Sequence, residues 1–225
     1  MPSATEWEIL ALSLKVALVS LAASLPAAIG VAFVLARKDF PGKTLFDALV
    51  HLPLVLPPVV VGFALLVLFG TQGPVGRLLE PLGIVFVFRW TGAALAAALM
   101  GFPLMVRAIR LAIEAIDRRL ESAARTLGAS RTRVFFTVTL PLAAPGVITG
   151  GLLAFARALG EFGATITFVS NIPGETQTLA LAIYALTQTP GGDAGVWRLA
   201  ALSVCVSFVA LIAADALARR TAVRR

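Results

Sequence analysis

Few residues of this 225-residue chain are of a type that does chemistry. It has one histidine, His51, and one cysteine, Cys205. Neither a nucleophile with its base nor a metal cluster can be built from two such residues far apart in sequence, and a lone cysteine excludes an internal disulfide. Cys205 lies in an apolar run, where a buried, inert thiol is expected. His51 reads as standing alone, with no metal role. The charged pair Arg157 and Glu161 is different. The two lie four residues apart within FARALGEFGATITFVSN. A charge in hydrocarbon costs at least ~2.5 kcal/mol, so both should face a partner or an aqueous cavity, and their spacing lets them pair with each other. An internal ion pair securing a helix and a direct contact to a substrate both fit. Gly160 and Gly163 flank the glutamate and permit close helix approach. Beyond it, Thr165, Thr167, Ser170 and Asn171 are neutral donors that could hand on an oxyanion without a deep electrostatic trap. Thr165 and Thr167 could equally bond back to their own helix carbonyls.

The elements that must hold these residues are apolar. With 59% hydrophobic residues and a mean hydropathy of +0.93, the chain lies far outside the soluble norm. Five stretches are long enough to cross a bilayer: residues 9–36, 46–69, 91–113, 147–169 and 199–217. A cleaved leader is the competing reading of the first, but Glu6 and Glu8 stand where a leader is basic, and the apolar run is too long. The second contains Leu52-Pro53 and Leu56-Pro57-Pro58. Prolines remove backbone donors that lipid cannot replace, so this part should face protein or a water-filled path, or else simply kink. Residues 179–186 are apolar but too short to cross.

The formal net charge of +7 sorts by loop. Arginines crowd the segment from Arg107 to Arg133 and the tail at Arg219, Arg220, Arg224 and Arg225, whereas residues 170–197 contain Glu175 and Asp193 and no basic residue. The positive-inside bias puts the N-terminus outside and the C-terminus in the cytoplasm. This charge pattern speaks of membrane topology rather than nucleic acid. No phosphate-binding glycine loop is present, so ATP is not bound by a Walker motif of this chain.

Between the third and fourth spans lies ESAARTLGASRTRVFFTVTLPLAAP, residues 121–145. Leu120, Ala123, Ala124 and Leu127 recur at helical spacing and form a small apolar ridge, with Glu121, Arg125 and Thr126 pointing elsewhere. Gly128 should stop this helix. Ser130 should cap a second one, which Leu140-Pro141 should end before the next span. That is the pattern of a docking surface.

This segment resembles the cytoplasmic loop of ABC-importer permeases, whose pattern is Glu-Ala-Ala, three residues, Gly, nine residues, Ile, one residue, Leu-Pro. Ala123-Ala124, Gly128, Val138 and Leu140-Pro141 fall on it. The family glutamate position is Ser122, with Glu121 one residue earlier. Residues 52–66, 123–146 and 155–192 are further similar to the molybdate type of these permeases, over nearly the whole chain. The resemblance implies an all-α integral membrane fold, type I among ABC importers, as a single permease domain over residues 1–225. It also implies a bacterial inner-membrane location and a homodimer enclosing a path between its copies. Two cytoplasmic ATP-binding subunits, holding ATP and magnesium, would grip the docking loop at about 118–141, and a periplasmic oxyanion-binding protein would deliver the cargo. No cofactor or catalytic centre of its own is implied. Docking would fall to Glu121, Ser122, Ala123, Ala124, Leu127, Gly128, Val138, Leu140 and Pro141. The candidate path comprises Pro57, Pro58, Glu161, Thr165, Thr167, Ser170 and Asn171. Tungstate and sulfate are tetrahedral dianions like molybdate, and the residues do not separate them. A proton-coupled secondary transporter would need more ionisable residues at the midplane and usually related repeats. An intramembrane enzyme would need a catalytic cluster.

Overall fold

The computed structural model describes residues 3–223, and all regular structure among them is helical. The first helix, α1 (Ala4–Arg37), opens on a capping box. Glu6 donates its backbone N–H to the Ser3 hydroxyl at 3.2 Å, and Ser3 donates its own N–H to the Glu6 carboxylate at 2.7 Å. It runs through Pro26 without a break.

Two helices follow, α2 (Lys43–Val55) and α3 (Pro58–Phe69), bent by 111° at their junction. The residue before a proline is pushed out of the helical region, and both Leu56 (ψ 143°) and Pro57 (ψ 132°) are extended. The stretch 46–69 expected as one span is thus two helices around an elbow. After a short helix, α4 (Gly76–Leu79), and a 3-10 turn at Glu80–Leu82 comes α5 (Trp90–Glu114). Then follow α6 (Arg118–Thr126), α7 (Arg131–Val134), a π turn at Phe135–Thr139, α8 (Leu140–Leu159), α9 (Gly163–Val169), α10 (Leu179–Thr187) and α11 (Asp193–Val223).

Three expected boundaries move. Leu140-Pro141 does not end a helix. The π turn, closed by Leu140 N–H to Phe135 C=O, widens the helix just before Pro141, so the ring and its missing donor are accommodated. Residues 131–159 then form one helix long enough to cross. The span expected over 147–169 breaks instead at Gly160–Phe162, leaving α9 as a separate piece. Among the described residues, four helices are long and apolar enough to cross a membrane, with α2 and α3 as a fifth crossing if the bent pair counts as one. The last of them starts at Asp193, earlier than residue 199, and its backbone carries through positions 219 and 220; Arg224 and Arg225 lie outside the described residues.

Small side chains set the packing. α5 is the centre, with α1 and α8 against it, and its buried face is rich in alanine and glycine, from Gly92 to Met105. α3 packs on α9 through Gly62, where an added Cβ would meet the Ala164 carbonyl oxygen at 2.5 Å and the Thr167 Cβ at 2.9 Å. Phe69 and Phe168 meet edge to face at 6.4 Å beside this contact. α10 lies on α11 and α1, where the Ser13 hydroxyl accepts the Leu179 N–H at 2.8 Å.

Candidate functional site

α6 is a polar, largely exposed helix. Asp117 caps it by accepting the Arg119 N–H at 2.9 Å. Gly128 stops it in the left-handed region at φ 86°, where a side chain would be strained. Its two faces differ. Leu120, Ala123 and Leu127 are exposed, Leu127 at 88%, and Ala124 is half-buried beside them. At 100° per residue these point away from Arg118, Glu121, Ser122 and Arg125.

Glu121 is 7% exposed. Arg37, at the end of α1, donates to its Oε1 through Nε at 3.2 Å, with Nη2 at 3.1 Å. Thr139 of the π turn donates its hydroxyl to the same oxygen at 2.9 Å. Arg37 Nη2 also donates to the Ile116 carbonyl at 3.2 Å. One carboxylate thereby ties α6 to the end of α1 and the start of α8. Arg37 and Thr139 are partners that sequence reasoning missed. No local sequence signal links them, since they lie 84 and 18 residues from Glu121. Ser122 is exposed and donates to its own turn, to the Arg118 carbonyl at 3.1 Å. Val138 and Leu140 are half-buried and Pro141 is exposed at the start of α8. Ser130 caps α7 as expected, accepting the Arg133 N–H at 3.3 Å.

The second group of residues gathers around the break between α8 and α9. Arg157 Nη1 and Glu161 Oε2 are 2.6 Å apart, and Glu161 is 2% exposed. Its other oxygen accepts the Ala164 N–H at 2.8 Å and so caps α9. The same carboxylate pairs a cation and starts a helix, which is why the chain can break there. The α2–α3 elbow is brought alongside, since a Cβ on Gly163 would come within 2.8 Å of Pro58.

Thr165 is buried in α9, and Thr167 donates back to the Gly163 carbonyl at 2.9 Å. Ser170 ends the helix at φ 63°, with its carbonyl accepting the Thr176 hydroxyl at 2.9 Å. Asn171 Oδ1 is buried without a hydrogen-bond partner among the described residues. Pro57 and Glu161 thus lie in one neighbourhood, while Ser170 and Asn171 lie at the far end of α9.

Two side readings are corrected. Cys205 is exposed on α11 instead of buried, because this helix packs only one side on the bundle and turns Val204, Phe208 and Val209 outward. His51 is not alone. Its Nδ1 is 2.9 Å from the Asp47 carbonyl oxygen and 3.1 Å from Asp47 Oδ1, and Arg110 Nη1 holds the other carboxylate oxygen at 2.9 Å. The i−4 carboxylate, one helical turn back, was legible but overlooked. Lys15 stacks its ammonium over Trp90, 3.6 Å from the ring centroid.

Comparison with known proteins bears on this arrangement. Residues 9–223 match the model of the family described as "Binding-protein-dependent transport system inner membrane component". The molybdenum transport system permease protein ModB of Escherichia coli (strain K12) is 60% identical over 215 residues, covering 95% of this chain and 94% of that one. Its counterpart in Haemophilus influenzae is 56% identical, covering 93% and 92%. In fold, the chain is similar to a chain in the crystal structure of a bacterial alginate ABC transporter in complex with alginate pentasaccharide-bound periplasmic protein. The TM-score is 0.77 at 18% identity, over 97% of this chain and 80% of that one.

Proposed function

The chain belongs to the inner membrane components of binding-protein-dependent transport systems, and from that membership we propose that it is the permease subunit of an ATP-driven importer carrying molybdate into the cell. The observation that carries the cargo is the 60% identity, end to end, to a molybdenum transport permease. Two copies would enclose the path, two ATP-binding subunits would dock beneath, and a periplasmic binding protein would load it from outside. ATP and magnesium belong to the docked subunits. The N-terminus is outside and α6 is cytoplasmic, in keeping with the arginines around it.

The geometry supports a division of labour within this reading. The ridge of Leu120, Ala123, Ala124 and Leu127 seats in the ATP-binding subunit, because a ridge of small residues flanked by two leucines can enter a groove that a bulky one cannot. Glu121 faces the other way and conveys the displacement of α6 to α1 through Arg37 and to α8 through Thr139. Alternating access follows when the two docked subunits close on ATP, tilting α1 and α8, and reverses on hydrolysis. Glu161 and Arg157 are structural: the carboxylate is committed to a cation and a helix start. Ser170 and Asn171, with the elbow at Pro57 and Pro58, remain the path residues.

The test is ATP hydrolysis by the reconstituted complex in vesicles. Binding protein loaded with molybdate should stimulate it, and the same protein offered sulfate should not. Stimulation by sulfate alone would overturn the cargo assignment.

A further inference from the structure

Behind α6 lies an open cavity of about 660 Å³, lined by the last turns of α1, the inward face of α6, and α7 with its π turn. Five cations line it: Arg37, Lys38, Arg118, Arg125 and Arg131. The one carboxylate among the lining residues is Glu121, already engaged by Arg37 and Thr139. Among the described residues, none of Lys38, Arg118, Arg125 and Arg131 has a carboxylate at ion-pair distance. The neighbouring acid, Asp39, accepts from Lys43 at 2.9 Å, and that hydrogen bond, with a smaller pull from Arg118, holds its carboxyl below the ordinary range. The opposite wall is apolar, from Phe33 and Val34 of α1 and Phe135 of the π turn.

We propose that this cavity binds a phosphate-type oxyanion, presented as the headgroup of an anionic phospholipid in the leaflet that α6 borders. Guanidinium and ammonium groups without a carboxylate partner supply the charge and the forked donors that suit phosphate oxygens, although Arg125 Nε also donates to the Glu121 carbonyl at 3.3 Å. The apolar wall belongs to a spanning helix, so the glycerol and upper acyl carbons of a lipid continue along it, whereas a free inorganic anion would leave it unused. Basic pockets between spanning helices on the cytoplasmic side recognise lipid headgroups by this combination. The site is also distinct from the docking ridge, which projects from the opposite face of α6. A headgroup there braces α6 from behind while its front is engaged. The proposal rests on the topology above for its choice of leaflet, but not on which anion the importer carries.

Binding to the full chain in neutral detergent is measured by native mass spectrometry with three probes: phosphatidylglycerol, phosphatidylcholine and inorganic phosphate alone. Two variants separate charge from space. The triple change Lys38→Gln, Arg118→Gln and Arg131→Gln removes cations. Gly30→Leu fills the cavity and keeps every charge, since an added Cβ at Gly30, a lining residue, meets nothing within 4 Å. Phosphatidylglycerol should bind the unaltered chain at least ~10-fold more tightly than phosphatidylcholine, and the triple variant should lose about 100-fold of that affinity, as three basic residues at an anionic headgroup imply. Gly30→Leu should abolish the preference. If inorganic phosphate binds with the same dependence on both variants and the lipid gains nothing over it, the site stands and its ligand is a soluble oxyanion. Equal affinity for the two lipids, or a preference that survives both variants, overturns it. Should the triple variant not fold, Gly30→Leu decides alone.

Discussion

The contact of α3 with α9 and the seat of α6 on α1 and α8 are built on opposite principles. The first is dry: Gly62 lets backbones touch, and Phe69 and Phe168 fill the space beside it. The second turns on a buried carboxylate shared by Arg37 and Thr139. A close-packed glycine contact has one arrangement and resists sliding. A polar tie between two helices holds direction while allowing its ends to rotate. The difference suits the function proposed above, in which α6 is the element that moves and the contact of α3 with α9 is not.

Glu121→Ala should break the driven region most severely. It leaves Arg37 buried with no carboxylate, a loss of about 3 kcal/mol or more, seen as a lowered midpoint in denaturant unfolding of the solubilised chain. Glu121→Gln, which keeps the shape and one acceptor, should lie between the two. Gly62→Val attacks the other region. Its branched side chain must displace the Ala164 backbone, costing about 2 kcal/mol, and crosslinking between α3 and α9 should weaken in step. Gly128→Ala should cost about 1 kcal/mol, because alanine must adopt the left-handed conformation that glycine holds at φ 86°. Leu127→Gln should alter stability by less than about 0.5 kcal/mol, since the side chain is exposed. It should nevertheless uncouple ATP hydrolysis from uptake, and normal coupled uptake by this variant would sharpen the comparison against the docking ridge.

Much of this was readable in the chain. The spacing of Leu120, Ala123, Ala124 and Leu127 announced a ridge, and Gly128 and Ser130 marked the turn behind it, because local capping depends on residues within one or two helical turns. The i, i+4 pair of Arg157 and Glu161 is local in the same sense. What escaped depended on distance or on competition between local signals. Arg37 is 84 residues from Glu121, and no period links them. Leu140-Pro141 reads as a stop, yet a wider turn outweighed it. The fourth span looked continuous because hydropathy does not register that Glu161 can cap a new helix. The shift of the acid from the family position at Ser122 to Glu121 reads as a defect in sequence. In three dimensions positions 121 and 122 flank the same inward direction, so either can reach the rear of the helix.

The π turn at Phe135–Thr139 has a consequence for register. It stores one residue beyond the ordinary helical count, so everything on its α7 side is rotated by about 100° from where a regular continuation of α8 would set it. Transplanting α6 and α7 onto another permease would therefore require those five residues to travel with them. Without them the ridge would meet its partner with the wrong side forward.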